Sequence, residues 1–451
     1  MTRTSTLLSA ALLVAAHIPA IGAESGAADP VLSAMRKELK RSFAKFQKAE
    51  KTPLYYLGYQ VRETRNYYAK AALGALESEH DRHYRYLDVD VRMGSHKLDN
   101  THQIKGMEGW FESRGGTYTE VTVDDEEDAL RADIWLRTDK AYKDALNRYT
   151  KVKTNKAVTA EEEDKSDDFS KEGSRSRFYE SVPHPQVDRR LWRERLRRLS
   201  AVFKKYPFII DTDVSLDADT ISRYMVDSEG AEIVTGNRYF RLAYSISART
   251  EDGMDLNRSR GYDADGFEDL PSDKEIIADM ERSAAELSAL HKAPLVEPYT
   301  GPAIFRNRAT GVYFHEILGH RLEGHRQKIE EEGQTFTKKL GKPITADFLS
   351  VYDDPTMVRH KGQFLRGAYK FDDEGIPSRR MTLVKDGVLK AFLMSRSPIK
   401  GFPRSNGHGR RSAGRNIVAR MGNTIVKASK TVPFKRLREL LIEEIKRQKK
   451  P

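Results

Sequence analysis

The chain has 451 residues, 78 Lys and Arg against 67 Asp and Glu, a formal net charge of +11 and no cysteine. At roughly 150 residues per domain, that length points to two or three domains. The missing thiol excludes disulfides, thiolate zinc sites within the chain and a cysteine nucleophile; the single long apolar run, at the N-terminus, excludes several membrane spans.

Arg3 and the apolar run Leu7 to Ala16 read as a signal peptide over 1–23, with small residues up to Ala23 before Glu24. The expectation is an exported protein, periplasmic or secreted, with no integral span after cleavage. Residues 30–47 carry apolar side chains at helical spacing, with Asp29 as cap and Pro30 at the first position. Leu54 to Arg62 and Tyr86 to Arg92 read as strands, and 126–149 as a helix. From 151 to 177 apolar residues nearly vanish and Glu161, Glu162, Glu163 and Asp164 follow one another, so a charged linker or loop is expected. Arg189 to Lys205 reads as a basic helix packed by Leu191, Leu196, Leu199 and Phe203, its Arg in solvent. No nucleic-acid partner is expected, because the positive charge is spread along the chain.

Ser222 to Val226 and Ala231 to Thr235 flank the turn Asp227 to Gly230, a hairpin signal, and Arg241 to Thr250 reads as a third strand. A helix over 273–291 closes the first domain, 24–292. Pro294 and Pro298 mark the boundary. In 302–451, a short strand at 303–305 precedes the Gly311–Gln327 helix. Further strands are expected at Phe348 to Tyr352, Met381 to Val384, Val388 to Met394 and Asn423 to Lys427. A last helix places Phe434, Leu437, Leu441 and Ile445 on one face. The fold class is α+β in two domains: an N-terminal mixed domain with an antiparallel sheet, and a mainly β C-terminal domain.

The informative segment is GVYFHEILGHRLEGHRQ, Gly311 to Gln327. His315, Glu316 and His320 form an HExxxH. Two imidazoles on one helix can hold Zn2+, and a neighbouring carboxylate can accept a proton from the attacking water. The i, i+5 spacing places the rings about 140° apart on an ideal α-helix. Convergence therefore calls for a π-bulge, which Gly319 makes easy. A catalytic zinc usually takes three protein ligands. Glu323 and His325 are the local candidates for the third; His360 and His408 are distant ones.

This stretch resembles the TldD/PmbA metallopeptidases, whose active members carry HExxxH followed closely by Leu-Glu-Gly, here Leu322-Glu323-Gly324. Three more segments share the likeness: Phe371 to Gly375 with the turn Lys385-Asp386-Gly387, Asn406 to Arg411, and Met421-Gly422-Asn423. The resemblance covers about 300–430. It implies a zinc peptidase with His315 and His320 as ligands and Glu316 as base, acting on extended or unfolded peptides. It also implies a homo-oligomer or a PmbA-like partner subunit. The family's third ligand is a cysteine near the C-terminal end of the domain. Its absence leaves two explanations, an incomplete C-terminus or a replaced ligand, and the match running up to the chain's end favours the first. Two other readings stand beside the peptidase: a non-catalytic envelope binding partner, and an inactive, shortened peptidase.

Overall fold

The computed structural model describes residues 29–48, 52, 54–104, 119–158, 164–173, 175–328 and 334–450; the signal peptide expected over 1–23 lies outside them. Helix α1 (Pro30–Phe46) is capped by Asp29, whose Oδ1 accepts from the Leu32 amide at 3.0 Å. Strands β1 (Leu54–Ala72) and β2 (Ala75–Ser95) pair antiparallel along nearly their whole length. Short strands β3 (Leu98–Asp99) and β4 (Thr119–Val121) lie against β2. There follow α2 (Glu127–Val158), β5 (Arg177–Tyr179), α3 (Arg189–Ser200), β6 (Asp211–Asp227), β7 (Glu232–Arg249), β8 (Asp255–Ala264) and α4 (Asp273–His291). The sheet order is β3-β2-β1-β6-β7-β5, with β4 on β2 and β8 on β7. Among the described residues its one parallel pair is β5 with β7.

Alternation along the strands sorts the two faces of this sheet. Leu57, Tyr59, Val61, Tyr67 and Ala69 of β1, with Val214, Leu216, Tyr224 and Val226 of β6, are buried under helices. Helices α1 and α2 cover one end of that face, α3 and α4 the other. The opposite face receives the second half of the chain: Gly375 packs on Met225 and Ile233, and Arg411 Nη2 donates to Gln60 Oε1 at 2.6 Å.

Several expectations need correction. The hairpin β1–β2 runs far beyond the apolar stretches, because β1 pairs with both β2 and β6 and the ladder continues through polar residues. Arg241 to Thr250 is no separate strand but the continuation of β7. Gly236 stays within it, since a side chain there would strike Val182. In α3 the exposed Leu191 is replaced in the core by Trp192. Its arginines meet acids: Arg193 with Glu79, Arg195 and Arg198 with Asp273. The 151–177 stretch is not a linker throughout. Residues 151–158 extend α2, and Asp168, Phe169 and Ser170 are buried.

The second half carries α5 (Arg308–Phe314), β9 (Leu349–Asp353), β10 (Arg359–His360), β11 (Gln363–Phe364), β12 (Met381–Lys385), β13 (Val388–Leu389), β14 (Gly409–Arg410), β15 (Val418–Ala419), β16 (Thr424–Ala428) and α6 (Phe434–Arg447). Its main sheet is antiparallel, in the order β13-β12-β9-β16. Asp386 and Gly387 both have positive φ, 49° and 78°, as the tight β12–β13 turn requires. Ala303 to Phe305 forms no strand, and Val388 to Met394 is a strand only over its first two residues. The apolar face expected on α6 is not buried; Phe434 lies under the Arg306 guanidinium, 4.4 Å from its ring centre.

Phe371 to Gly375 and Asn406 to Arg411 build the junction between the halves. The amide of Asp373 donates to the Gly409 carbonyl at 2.8 Å, and that of Gly409 to Asp372 Oδ2 at 2.9 Å. Glu374 Oε2 accepts from the Arg396 amide at 2.6 Å. Burial pushes the Asp372 and Glu374 carboxyls above the usual range, and the Asp372 charge adds to the rise at Glu374, against the Arg396 and Arg92 charges. The native state therefore keeps protons that the unfolded chain releases above about pH 4. More protons bound in the folded state means stability falls as pH rises through that window. Urea midpoints should be lower at about pH 8 than at about pH 5, and Asp372→Asn with Glu374→Gln should flatten the difference.

Candidate metal centre

Helix α5 runs directly into a π-helical turn, His315–Gly319, then a 3-10 turn, His320–Leu322. The His320 amide donates to the His315 carbonyl, an i to i−5 bond. One wide turn thus places His320 over His315, where an α-helix would rotate it away. The ring centroids are 4.4 Å apart and nearly perpendicular, at 81°. Ligand atoms of His315, Glu316 and His320 all lie within 4.8 Å of one another, the only such group among the described residues.

Gly319 enters differently from expectation. Its φ of −52° is ordinary helical backbone. What it supplies is space, because a side chain there would strike Met421 Sδ. Gly324 likewise admits Leu393 and Met394. The helical run ends at Glu323, with φ −73° and ψ 118°. The chain then clamps to a neighbouring segment: the Leu393 amide donates to the Leu322 carbonyl at 2.9 Å, and the Gly324 amide to the Leu393 carbonyl at 2.8 Å.

His315 and Glu316 are open to solvent, with side chains 48% and 61% exposed; His320 is 28% exposed. Glu323 and His325, the candidates for a third ligand, do not join them. Glu323 is fully buried behind His320 and accepts from its Nδ1 at 3.1 Å. Burial would raise its carboxyl, but the hydrogen bonds from His320 and Arg326 and the Arg420 charge hold it below the usual range. His325 is buried too, and burial pushes its imidazole down to about 3, so it is neutral. It follows the extended residue Glu323, in the 3-10 turn Gly324–Gln327. His408 lies elsewhere, fully buried, with Nε2 3.2 Å from Asp353 Oδ1. His360 sits at the β10–β11 turn.

The residues present suit a divalent metal: two imidazoles and a carboxylate converge, and His320 Nδ1 is already engaged, which leaves Nε2 for coordination. Sequence reasoning missed Arg420 and Arg326. Arg420 stands beside the matched Met421-Gly422-Asn423, a signal that could have drawn attention to it.

Residues 298–448 match the PmbA/TldA metallopeptidase C-terminal domain. The chain is 29% identical over 237 residues to a metalloprotease TldD homologue of Buchnera aphidicola, covering 49% of this chain and 46% of that one. It is 25% identical over 236 residues to a zinc metalloprotease TldD homologue of Saccharolobus solfataricus, covering 51% and 50%. The matched part spans between about a quarter and a half of each curated relative's length. In fold, the chain is similar to TldE from Thermococcus kodakarensis, with a TM-score of 0.54, 16% identity, and coverage of 90% of this chain and 80% of that one. Over residues 298–448, then, the chain carries a domain of the PmbA/TldA metallopeptidase C-terminal type, with its HExxxH on a π-turn.

Proposed function

We propose that the chain is a zinc-dependent peptidase, with His315 and His320 as metal ligands and Glu316 as general base. The observation that carries this reading is the π-turn, which brings all three side chains to one exposed spot. A zinc ion held there supplies Lewis acidity toward a peptide carbonyl and makes a water more acidic. His320 would hold the ion through Nε2, with Glu323 on its Nδ1. Glu316 Oε1, 4.0 Å from His315 Nε2, accepts the proton of the attacking water and returns it to the leaving amine. The open surface at His315 and Glu316 suits an extended or unfolded peptide better than a small solute in an enclosed pocket. Export from the cytoplasm, and assembly with a second copy or a PmbA-like subunit, belong to the same proposal.

Metal analysis tests it. The wild-type chain, loaded with zinc and dialysed, should retain about one equivalent. His315→Ala and His320→Ala should each retain less than about a tenth of that, because a single imidazole with a carboxylate holds zinc weakly. A wild-type chain that keeps no zinc, or a loaded one that cleaves no unfolded peptide, overturns the reading.

A further inference from the structure

The group behind His320 is more elaborate than a helix end requires. Glu323 is fully buried, yet it lies between three cationic or donor groups. Its Oε1 accepts from His320 Nδ1 at 3.1 Å and from Arg420 Nη1 at 3.3 Å; its Oε2 accepts from Arg326 Nε at 2.8 Å. The backbone on either side is fixed by the two hydrogen bonds to Leu393. The carboxylate therefore has little freedom to turn. Arg420 is itself anchored, since its amide donates to the carbonyl of the buried His408 at 2.9 Å.

A carboxylate flanked by two guanidiniums only accepts hydrogen bonds. The proton in the His320–Glu323 bond must then sit on Nδ1. That leaves the lone pair on Nε2, on the side of the ring turned away from Glu323.

Resting on the zinc-site reading above, we propose that Glu323, braced by Arg420 and Arg326, is a positioning residue that fixes the Nδ1–H tautomer and ring orientation of His320 before any metal arrives. The Leu-Glu-Gly that follows the HExxxH then has a division of labour. Leu322 fills the core beside Leu393, Glu323 orients the ligand, and Gly324 lets the neighbouring backbone close over it. Such outer partners typically change metal affinity by about 10–100-fold when removed.

The tautomer can be read without metal, by NMR of the zinc-free full chain labelled with 15N-histidine and assigned through His320→Gln. The wild type should show His320 protonated at Nδ1 only. In Glu323→Gln, which keeps the size but drops the charge, the tautomers should mix, and zinc affinity measured against a chelator should fall by about 10–100-fold. Arg420→Gln, a half-exposed change that removes a donor to Glu323, should shift both readouts the same way by a smaller amount. It is the informative variant should Glu323→Gln fail to fold. A wild-type His320 protonated at Nε2, or variants with wild-type tautomer and zinc affinity within about threefold, overturns the proposal. Loss of zinc binding in the wild type would instead count against the zinc site, while the tautomer in the metal-free chain would still report on Glu323.

Discussion

Glu316→Gln is expected to lower peptide hydrolysis by the zinc-loaded chain at least about a hundredfold, the lower end of what a general base contributes. Glutamine keeps the shape of the side chain and its carbonyl oxygen but cannot accept the proton. Zinc content should be unchanged, because the two imidazoles stay in place. Both quantities need measuring on the same sample. Unchanged turnover would show that Glu316 is not the base. Lost turnover together with lost zinc would make it a ligand, which its place among atoms within 4.8 Å of one another also allows. The two outcomes divide the chemistry cleanly, since Glu316 is solvent-exposed and its replacement leaves no buried group without a partner.

The second large effect is on stability. Arg396 is fully buried where the two halves of the chain meet. Its guanidinium lies 3.7 Å from the ring centre of Phe169, and Arg92 lies 3.7 Å from that same ring, so the ring sits against two cations. Arg396 Nη2 donates to the Ser170 carbonyl at 2.7 Å, and Nη1 pairs with Glu229 at 2.8 Å. Arg396→Ala removes the cation, leaves the Ser170 carbonyl without this donor and Glu229 with Arg175 as its remaining arginine, and opens a cavity against Phe169. The expected loss is about 3–5 kcal/mol, from the buried carbonyl left without its donor and the cavity left by a large buried side chain. Phe169→Ala should lose a similar amount, about 3–5 kcal/mol, through lost packing. Because the two side chains touch, the double variant should cost less than the sum. Chemical denaturation of the four proteins tests this; single losses below about 1 kcal/mol would mean the contact does not hold the halves together.

Local signals settled much of the architecture. Asp29-Pro30 starts α1, and Asp227 to Gly230 and Lys385-Asp386-Gly387 make the turns their residues suggest, since caps and tight turns are decided within a few residues. The amphipathic spacing of Ile276, Met280, Ala284 and Leu287 placed α4 and its buried face. His315, Glu316 and His320 were legible as a metal-binding set, as was the need for a π-type distortion to join them. Tertiary structure alone decided the rest. The 164–173 segment has the composition of a loop, but Phe169 is pinned between arginines more than 70 residues away on either side, and composition cannot register that. Glu323 and His325 looked like equal candidates for a third ligand. The extended backbone at Glu323, clamped to Leu393, turned one into the support of His320 and buried the other. Long-range backbone pairing chose between them, and it leaves no trace in the spacing of residues along the chain.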